Sequence, residues 1–284
     1  MEASAAEAQR AEMLERWGRA AAGWSRRADT IQEFGMRVSV WIVEHLDLQP
    51  GQRVLDLACG PGDTGFLAAE LVKPGGTLIA SDAAKAMLGV AKGRARDLGI
   101  TNVEFQQLQL EWIDMPTATV DAVLCRWGYM LCVDPAAALG ETRRVLRPGG
   151  RLALAVWDIP DANPWATIPG RALVQLGHAE RPDPNAPGMF ALAAPGRLRE
   201  LLEAAGFVDV VVDSVDLPRS IPSVDHYLGE TLDLARPFAE LFEALSAEDQ
   251  QAVKREIATL AEPFAEADGS LRFPARSLVA AASS

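Results

Sequence analysis

A short apolar run, Arg53-Val54-Leu55-Asp56-Leu57-Ala58, ends in Cys59-Gly60-Pro61-Gly62-Asp63-Thr64-Gly65. That order predicts a buried strand turning sharply into a helix. Glycine permits the backbone such a turn requires and lets a ligand approach the main chain closely. Taken alone, G-x-G-x-x-G also describes a bare strand-to-helix turn or a dinucleotide site.

The segments that follow repeat the alternation. Phe66–Val72 reads as a helix ended by Pro74-Gly75-Gly76, Thr77–Ser81 as a strand followed by Asp82, and Ala84–Leu98 as a helix stopped at Gly99. Val103–Gln107, Asp121–Cys125 and Arg151–Trp157 read as three further strands. The helix before the last of these starts at Asp134-Pro135, an N-cap followed by a proline at the first helical position. Short apolar strands alternating with helices predict βαβ units and a parallel sheet covered on both faces. Upstream, residues 3–29 and 31–46 read as helices, with Leu14, Trp17, Ala21 and Trp24 on one face of the first. Downstream, residues 158–194 hold six prolines and read as an ordered loop with a short helix near 166–177. Pro195–Ala205 reads as a helix, Phe207–Leu217 as a strand, 223–266 as two or three amphipathic helices, and Leu271–Ala281 as a last strand.

Composition narrows the partners. With 284 residues the chain is long enough to bury a core without disulfides or metal. Its 39 acidic residues outnumber 27 Lys and Arg, a net charge of −12, which argues against nucleic acid and anionic lipid surfaces. Three cysteines, Cys59, Cys125 and Cys132, cannot all pair within one chain, which points to a reducing cytoplasm. Residues 1–13 lack a basic stretch followed by an apolar one, and the longest apolar runs fall far short of the ~20 residues of a membrane helix. Three histidines in no paired spacing predict no metal site.

Two acids refine the glycine loop. Asp56, inside the first strand, and Asp63 repel a pyrophosphate and suit an ammonium-bearing ligand. Asp82, at the end of the second strand, is placed to accept both hydroxyls of a ribose. A helix N-cap is its alternative use.

Val54-Leu55-Asp56-Leu57-Ala58-Cys59-Gly60-Pro61-Gly62 resembles the first motif of class I S-adenosylmethionine-dependent methyltransferases. Ser81-Asp82 followed by Met87-Leu88 is similar to their second motif. Residues 144–152, Arg-Val-Leu-Arg-Pro-Gly-Gly-Arg-Leu, resemble the turn before their fifth strand. The three occur in order over residues 50–157, with the flavour of the ubiquinone/menaquinone-biosynthesis type. The resemblance implies a doubly wound, Rossmann-like α/β fold with a mostly parallel seven-stranded sheet, and S-adenosylmethionine as cofactor. It implies that Asp56 and the backbone of Cys59 and Gly60 hold the methionyl amino group, with Ala58 and Gly62 also at the cofactor, and that Asp82 takes the ribose. Ala83 and Met87 would pack on adenine, and Leu110 would offer it a backbone N–H. The family's usual aspartate for the adenine amine is replaced by Gln109, whose carbonyl accepts the same bond. The backbone of Cys125 and Arg126 would close the site, and the helix bearing Trp17 and Trp24 would be a lid.

Methyl transfer from a sulfonium needs alignment and dryness more than a protein nucleophile. A general base is an optional addition, with Tyr129, His178 and His226 as candidates. Acceptor candidates follow the fourth and fifth strands: Arg126, Trp127, Tyr129, Met130, Trp157, Asn163 and Trp165. Met189, Phe190 and Tyr227 extend the set into the loop and the helical segment. These aromatics suit an apolar or aromatic small molecule. Cys125 and Cys132 read as inert core thiols.

The expected organisation is an N-terminal lid (1–48), a cofactor-binding core (49–222 with 267–284) and a helical cap inserted before the last strand (223–266). The cap would wall in the acceptor or serve a dimer interface, so monomer and homodimer stay open. A methyltransferase fold doing non-methylating chemistry is one alternative. A nicotinamide oxidoreductase is another, disfavoured by Asp56 and by Val133 where a Tyr-x-x-x-Lys dyad needs lysine.

Overall fold

The computed structural model describes residues 2–181, 183 and 186–284; Met1, Pro182, Pro184 and Asn185, on which parts of the readings of the start and the proline-rich stretch fall, lie outside the described residues. Two helices open the chain, α1 (Glu2–Arg26) and α2 (Ala28–His45). The alternating half then gives β1 (Arg53–Leu57), α3 (Asp63–Leu71), β2 (Thr77–Ser81), α4 (Lys85–Asp97), β3 (Val103–Gln106) and β4 (Val120–Arg126). It continues through α5 (Pro135–Val145), β5 (Leu146–Trp157), α6 (Pro164–Gln175), α7 (Arg197–Ala204) and β6 (Val208–Asp216). The remainder comprises β7 (Arg219–Ile221), α8 (Val224–Leu234), α9 (Arg236–Glu243), α10 (Ala247–Ala261), β8 (Leu271–Phe273) and β9 (Arg276–Ser283).

The main sheet has seven strands in the order β3-β2-β1-β4-β5-β9-β6. The first five are parallel, and β9 runs antiparallel between β5 and β6. Val54, Leu55 and Leu57 of β1 are fully buried, as are Leu78 and Ile79 beside them and Val123 and Leu124 of β4. Strands covered on both faces have no solvent face to make polar, which is why these runs show no alternation. From β1 the chain builds outward through β2 and β3, then restarts on the other side at β4. The crevice at that reversal, beyond the carboxyl ends of the strands, is where this topology places a ligand.

Local signals explain several boundaries. The Asp134 carboxylate accepts the Ala137 N–H at 3.0 Å and Pro135 begins α5. Ser223 and Ser246 cap α8 and α10 in the same way. The sequence reading differs in three places. β5 begins at Leu146 rather than Arg151, because the Pro148-Gly149-Gly150 turn is absorbed into the ladder at a register shift. The single last strand expected over Leu271–Ala281 is two, since Pro274 has no N–H to donate and interrupts it. Its first piece, β8, pairs with β7 in a two-stranded ribbon whose three-residue strands are too short to show a pattern.

Helices α6, α8 and α10 with the ribbon enclose a second apolar cluster around Ile168, Leu173, Tyr227, Val253, Ile257 and Phe273. Among the described residues, no helix is long and apolar enough to cross a membrane.

Candidate active site

A cavity of about 430 Å³ opens at the reversal point. Its floor is Ala58, Cys59 and Gly60 of the loop after β1. Asp82, Ala83, Ala84 and Met87 form one side, and Gln109, Leu110 and Glu111 the next. Arg126, Trp127 and Gly128 after β4, with Leu131, Cys132 and Val133, form the third. Helix α1 closes the top with Met13, Leu14, Trp17 and Trp24.

The floor is shaped by backbone conformations that few residues adopt. Gly60 has φ 54° with open space where a Cβ would stand, so its main chain faces the cavity directly. Ala58 takes φ 53° despite its side chain, a sterically disfavoured state held by its surroundings. The Cys59 N–H donates to Ser81 O at 2.8 Å, and the Ser81 hydroxyl to Asp56 O at 2.8 Å, which lock the loop to β2.

Asp82 is the central acid of the wall. Its Oδ2 accepts the Gly60 N–H at 3.1 Å and its Oδ1 accepts the Ala84 N–H at 2.9 Å. Burial raises its pKa from 3.8 to about 6, against those two backbone donors. A carboxylate has about four acceptor positions, so two bonds leave lone pairs for a pair of ribose hydroxyls. Asp82 is not the N-cap of α4, which is Ala84.

Asp56 differs from expectation. It lies beneath the wall, buried against Gly65 in the first turn of α3, with Oδ2 lacking a hydrogen-bond partner. Burial pushes its pKa well above the usual range; Arg126 opposes that, while Asp82 and Asp63 add to it. Gly62 and Cys125 also stand back from the wall. Gly62 begins α3 at φ 95°, where a Cβ would meet the Phe66 ring at 2.3 Å, and Cys125 is fully buried.

The sequence left Arg126 open between an anionic acceptor and an acid of the chain. Its Nη2 reaches Asp63 Oδ2 at 2.8 Å, its Nη1 reaches Ser39 Oγ at 3.0 Å, and Arg94 takes the other oxygen of Asp63. Trp127, at φ 63°, lies beside the Arg126 guanidinium at 4.8 Å and stacks on Trp157 at 4.4 Å. Phe34 and Trp165 complete this aromatic block.

The three candidate bases stand apart from the cavity. The Tyr129 hydroxyl is fully buried at 2.6 Å from Thr142 Oγ1, and burial drives its pKa upward. His178 Nε2 lies 3.8 Å from Asp249, and His226 is 43% exposed, 3.3 Å from Glu230. Of the acceptor candidates, Arg126 and Trp127 line the cavity. Met130 and Trp157 are in the core, and Trp165 and Phe190 pack against it. Asn163 holds Arg276 main chain on both sides, and the Tyr227 hydroxyl donates to Trp165 O. The expected cap also differs: among the described residues, no part of 158–194 or 223–266 lines the cavity. Instead α8 holds α1. Asp233 pairs with Arg26 and Arg27, and the Trp24 indole donates to Leu234 O at 3.3 Å.

Sequence reasoning missed Glu111 and Arg10. Glu111 accepts the N–H groups of Val133 at 2.6 Å and Asp134 at 3.0 Å, and pairs with Arg10 of α1. An acid three residues before a polar turn carried no motif; the long-range partner was the missing information. Among the described residues, no cluster of three or more His, Cys, Asp or Glu is arranged to hold a metal.

The donor set suits a sulfonium nucleoside. Asp82 lines the cavity with acceptor positions to spare, Ala83, Met87 and Leu110 supply apolar surface, and the buried carboxylate of Asp56, one oxygen of which has no hydrogen-bond partner, underlies the loop. Comparison with known proteins points the same way. A family profile described as "Methyltransferase domain" matches residues 48–182. The chain is 32% identical over 208 residues to nocamycin O-methyltransferase of Saccharothrix syringae, covering 70% of this chain and 74% of that one. It is 35% identical over 119 residues to the ubiquinone/menaquinone biosynthesis C-methyltransferase UbiE of Cellvibrio japonicus, covering 42% of this chain and 48%, about half, of that relative. The YcgJ protein of a Bacillus shares the fold, with TM-score 0.58 at 19% identity, over 87% of this chain and 98% of that one.

Proposed function

The chain belongs to the class I S-adenosylmethionine-dependent methyltransferases, and from that footing we propose that its acceptor is a small, largely apolar organic molecule. S-adenosylmethionine supplies an activated methyl group on a sulfonium. What the chain adds is position and dryness. Asp82 would accept the ribose hydroxyls, and Met87, Ala83 and Leu110 would sandwich the adenine, with Gln109 toward its amine. The Gly60 main chain would meet the methionyl end, with Asp56 acting from beneath through the loop. The observation that carries the reading is the confluence of Gly60, Asp82 and Trp127 on one cavity under α1. Excluding water there strengthens every polar contact and suppresses hydrolysis.

Helix α1 acts as the lid, and segment 223–266 serves as its mount. Three unpaired thiols fit a reducing cytoplasm, and the excess of acids fits a protein that avoids nucleic acid. Monomer and homodimer both accommodate a cavity built within one chain.

Calorimetry tests the cofactor: S-adenosylhomocysteine should bind and NAD should not. Radiolabelled methyl from S-adenosylmethionine should then appear in a small apolar acceptor and not in protein or RNA. Labelling of a macromolecule alone would overturn the acceptor class.

A further inference from the structure

The proton acceptors around the cavity are nearly all committed. Asp82 holds two backbone N–H groups, and Glu111 holds two more and Arg10. The Cys59 and Cys132 thiols are pushed upward by burial and by nearby carboxylates, so they stay protonated. Arg126 carries its charge into a pair with Asp63. The remaining acid, Glu7, sits exposed at the rim on α1. The rest of the wall is mainly apolar: Met13, Leu14, Trp17, Leu110, Trp127 and Leu131.

We infer that the acceptor enters already ionised, as a small organic acid whose nucleophilic atom is anionic near neutral pH. This rests on the methyltransferase reading above. The physical reason is charge annihilation. An anion attacking a sulfonium yields two neutral groups, and an apolar, dry cavity favours that change over its reverse. A neutral acceptor would end cationic and need a base, which this wall does not offer. In the step proposed, the acceptor's anionic atom forms a bond to the methyl carbon as the carbon–sulfur bond breaks. The electron pair of that bond goes to sulfur. The proton has left to water before binding, so none is transferred in the cavity.

The pedestal under the wall agrees. Arg94 and Arg126 share the single buried carboxylate of Asp63, and the second carboxylate on Arg94, Asp29 at 3.5 Å, is fully exposed to solvent, so the buried part of the cluster keeps the excess of positive charge. The raised pKa of Asp56 reduces the opposing negative charge beside them.

The test uses 4-nitrophenol, 4-cyanophenol and phenol, whose acidity falls in that order. Rates are read from pH 5 to 9 at saturating S-adenosylmethionine, so that the titration of Asp82 does not limit cofactor loading. The inflection of kcat/KM should move with each phenol's own acidity. Phenol should keep gaining about tenfold per pH unit to the top of the range. Glu7→Gln should leave all three profiles unchanged. A common inflection for the three phenols, or one abolished by Glu7→Gln, would establish a protein base and overturn the inference. So would intact S-adenosylhomocysteine binding with no turnover of any of the three, since a cavity that selects by charge should admit a ring so small. Loss of S-adenosylhomocysteine binding by the unmodified protein would instead remove the methyltransferase reading beneath it.

Discussion

Arg126, at the end of β4, places Nη2 at 2.8 Å from Oδ2 of Asp63, in the first turn of α3. The two side chains are 8% and 1% exposed, so this bond ties the fourth strand to the helix after the glycine loop across a dry interior. Removing one partner of such a pair strands the other. Arg126→Leu should therefore lower unfolding free energy by about 3 kcal/mol, the low end for a buried pair because Arg94 remains. Adding Asp63→Asn should recover part of it. Urea unfolding reads both; a loss within ~1 kcal/mol would mark the pair as no stronger than a surface contact.

Asp82 should set opposing pH trends. Its carboxyl is raised from 3.8 to about 6 in the fold. Its contribution to stability is fully present below the unfolded value and is lost as pH rises through about 6. Ribose recognition needs the ionised form, so S-adenosylhomocysteine affinity should rise over that same interval. Asp82→Asn should cost the nucleoside ~10-fold or more in affinity and flatten this part of both trends. Calorimetry and melting temperature across pH 5–8 check it. Affinity unchanged by the substitution would confine Asp82 to bracing Gly60 and Ala84.

Arg10 and Glu111 join α1 to the cavity wall. Arg10 is 37% exposed, so the pair contributes at most ~1 kcal/mol. Arg10→Met should speed S-adenosylhomocysteine release by up to ~5-fold with little effect on melting temperature. Stopped-flow fluorescence from Trp17 and Trp24 would follow it. Release at the original rate would mean that α1 moves without breaking this contact.

Gly128 has no room for a methyl group. A Cβ there would lie 2.6 Å from Cys125 Sγ and 2.8 Å from Ala58 Cβ. Gly128→Ala should destabilise by roughly 1–3 kcal/mol. Pairing it with Ala58→Gly removes one clash and the φ 53° strain together, so the double variant should melt above the single one. Equal melting temperatures for the two would show that the thiol contact alone decides the cost.

The parallel half was legible because its strands are short runs and its turns carry plain signals: Gly60 after β1, Asp82 after β2, and Gly99 after the helix α4. Asp82 was legible as an acid at a strand end, and Met87 and Gln109 through the family resemblance; all three line the cavity. Arg126 was visible as a residue but not as a partner, since Asp63 and Ser39 reach it from distant positions. Tyr129 illustrates the opposite error. Proximity to a strand end suggested a base, yet the ring turns inward to Thr142, a contact that no local pattern encodes. The β7–β8 pairing escaped because three-residue strands are set by tertiary contact rather than by periodicity.

That ribbon has a consequence for how the molecule can be rebuilt. Ile221 sits opposite Leu271, so the chain leaves for α8 and returns after α10 at neighbouring points. An excursion whose two ends meet is a cassette. It can be exchanged between relatives without altering the spacing of the strands around it. Because α8 grips α1 through Asp233, a graft that keeps Arg26, Arg27 and this acid would carry a foreign set of helices while leaving the anchorage of α1 beside the cavity as it is.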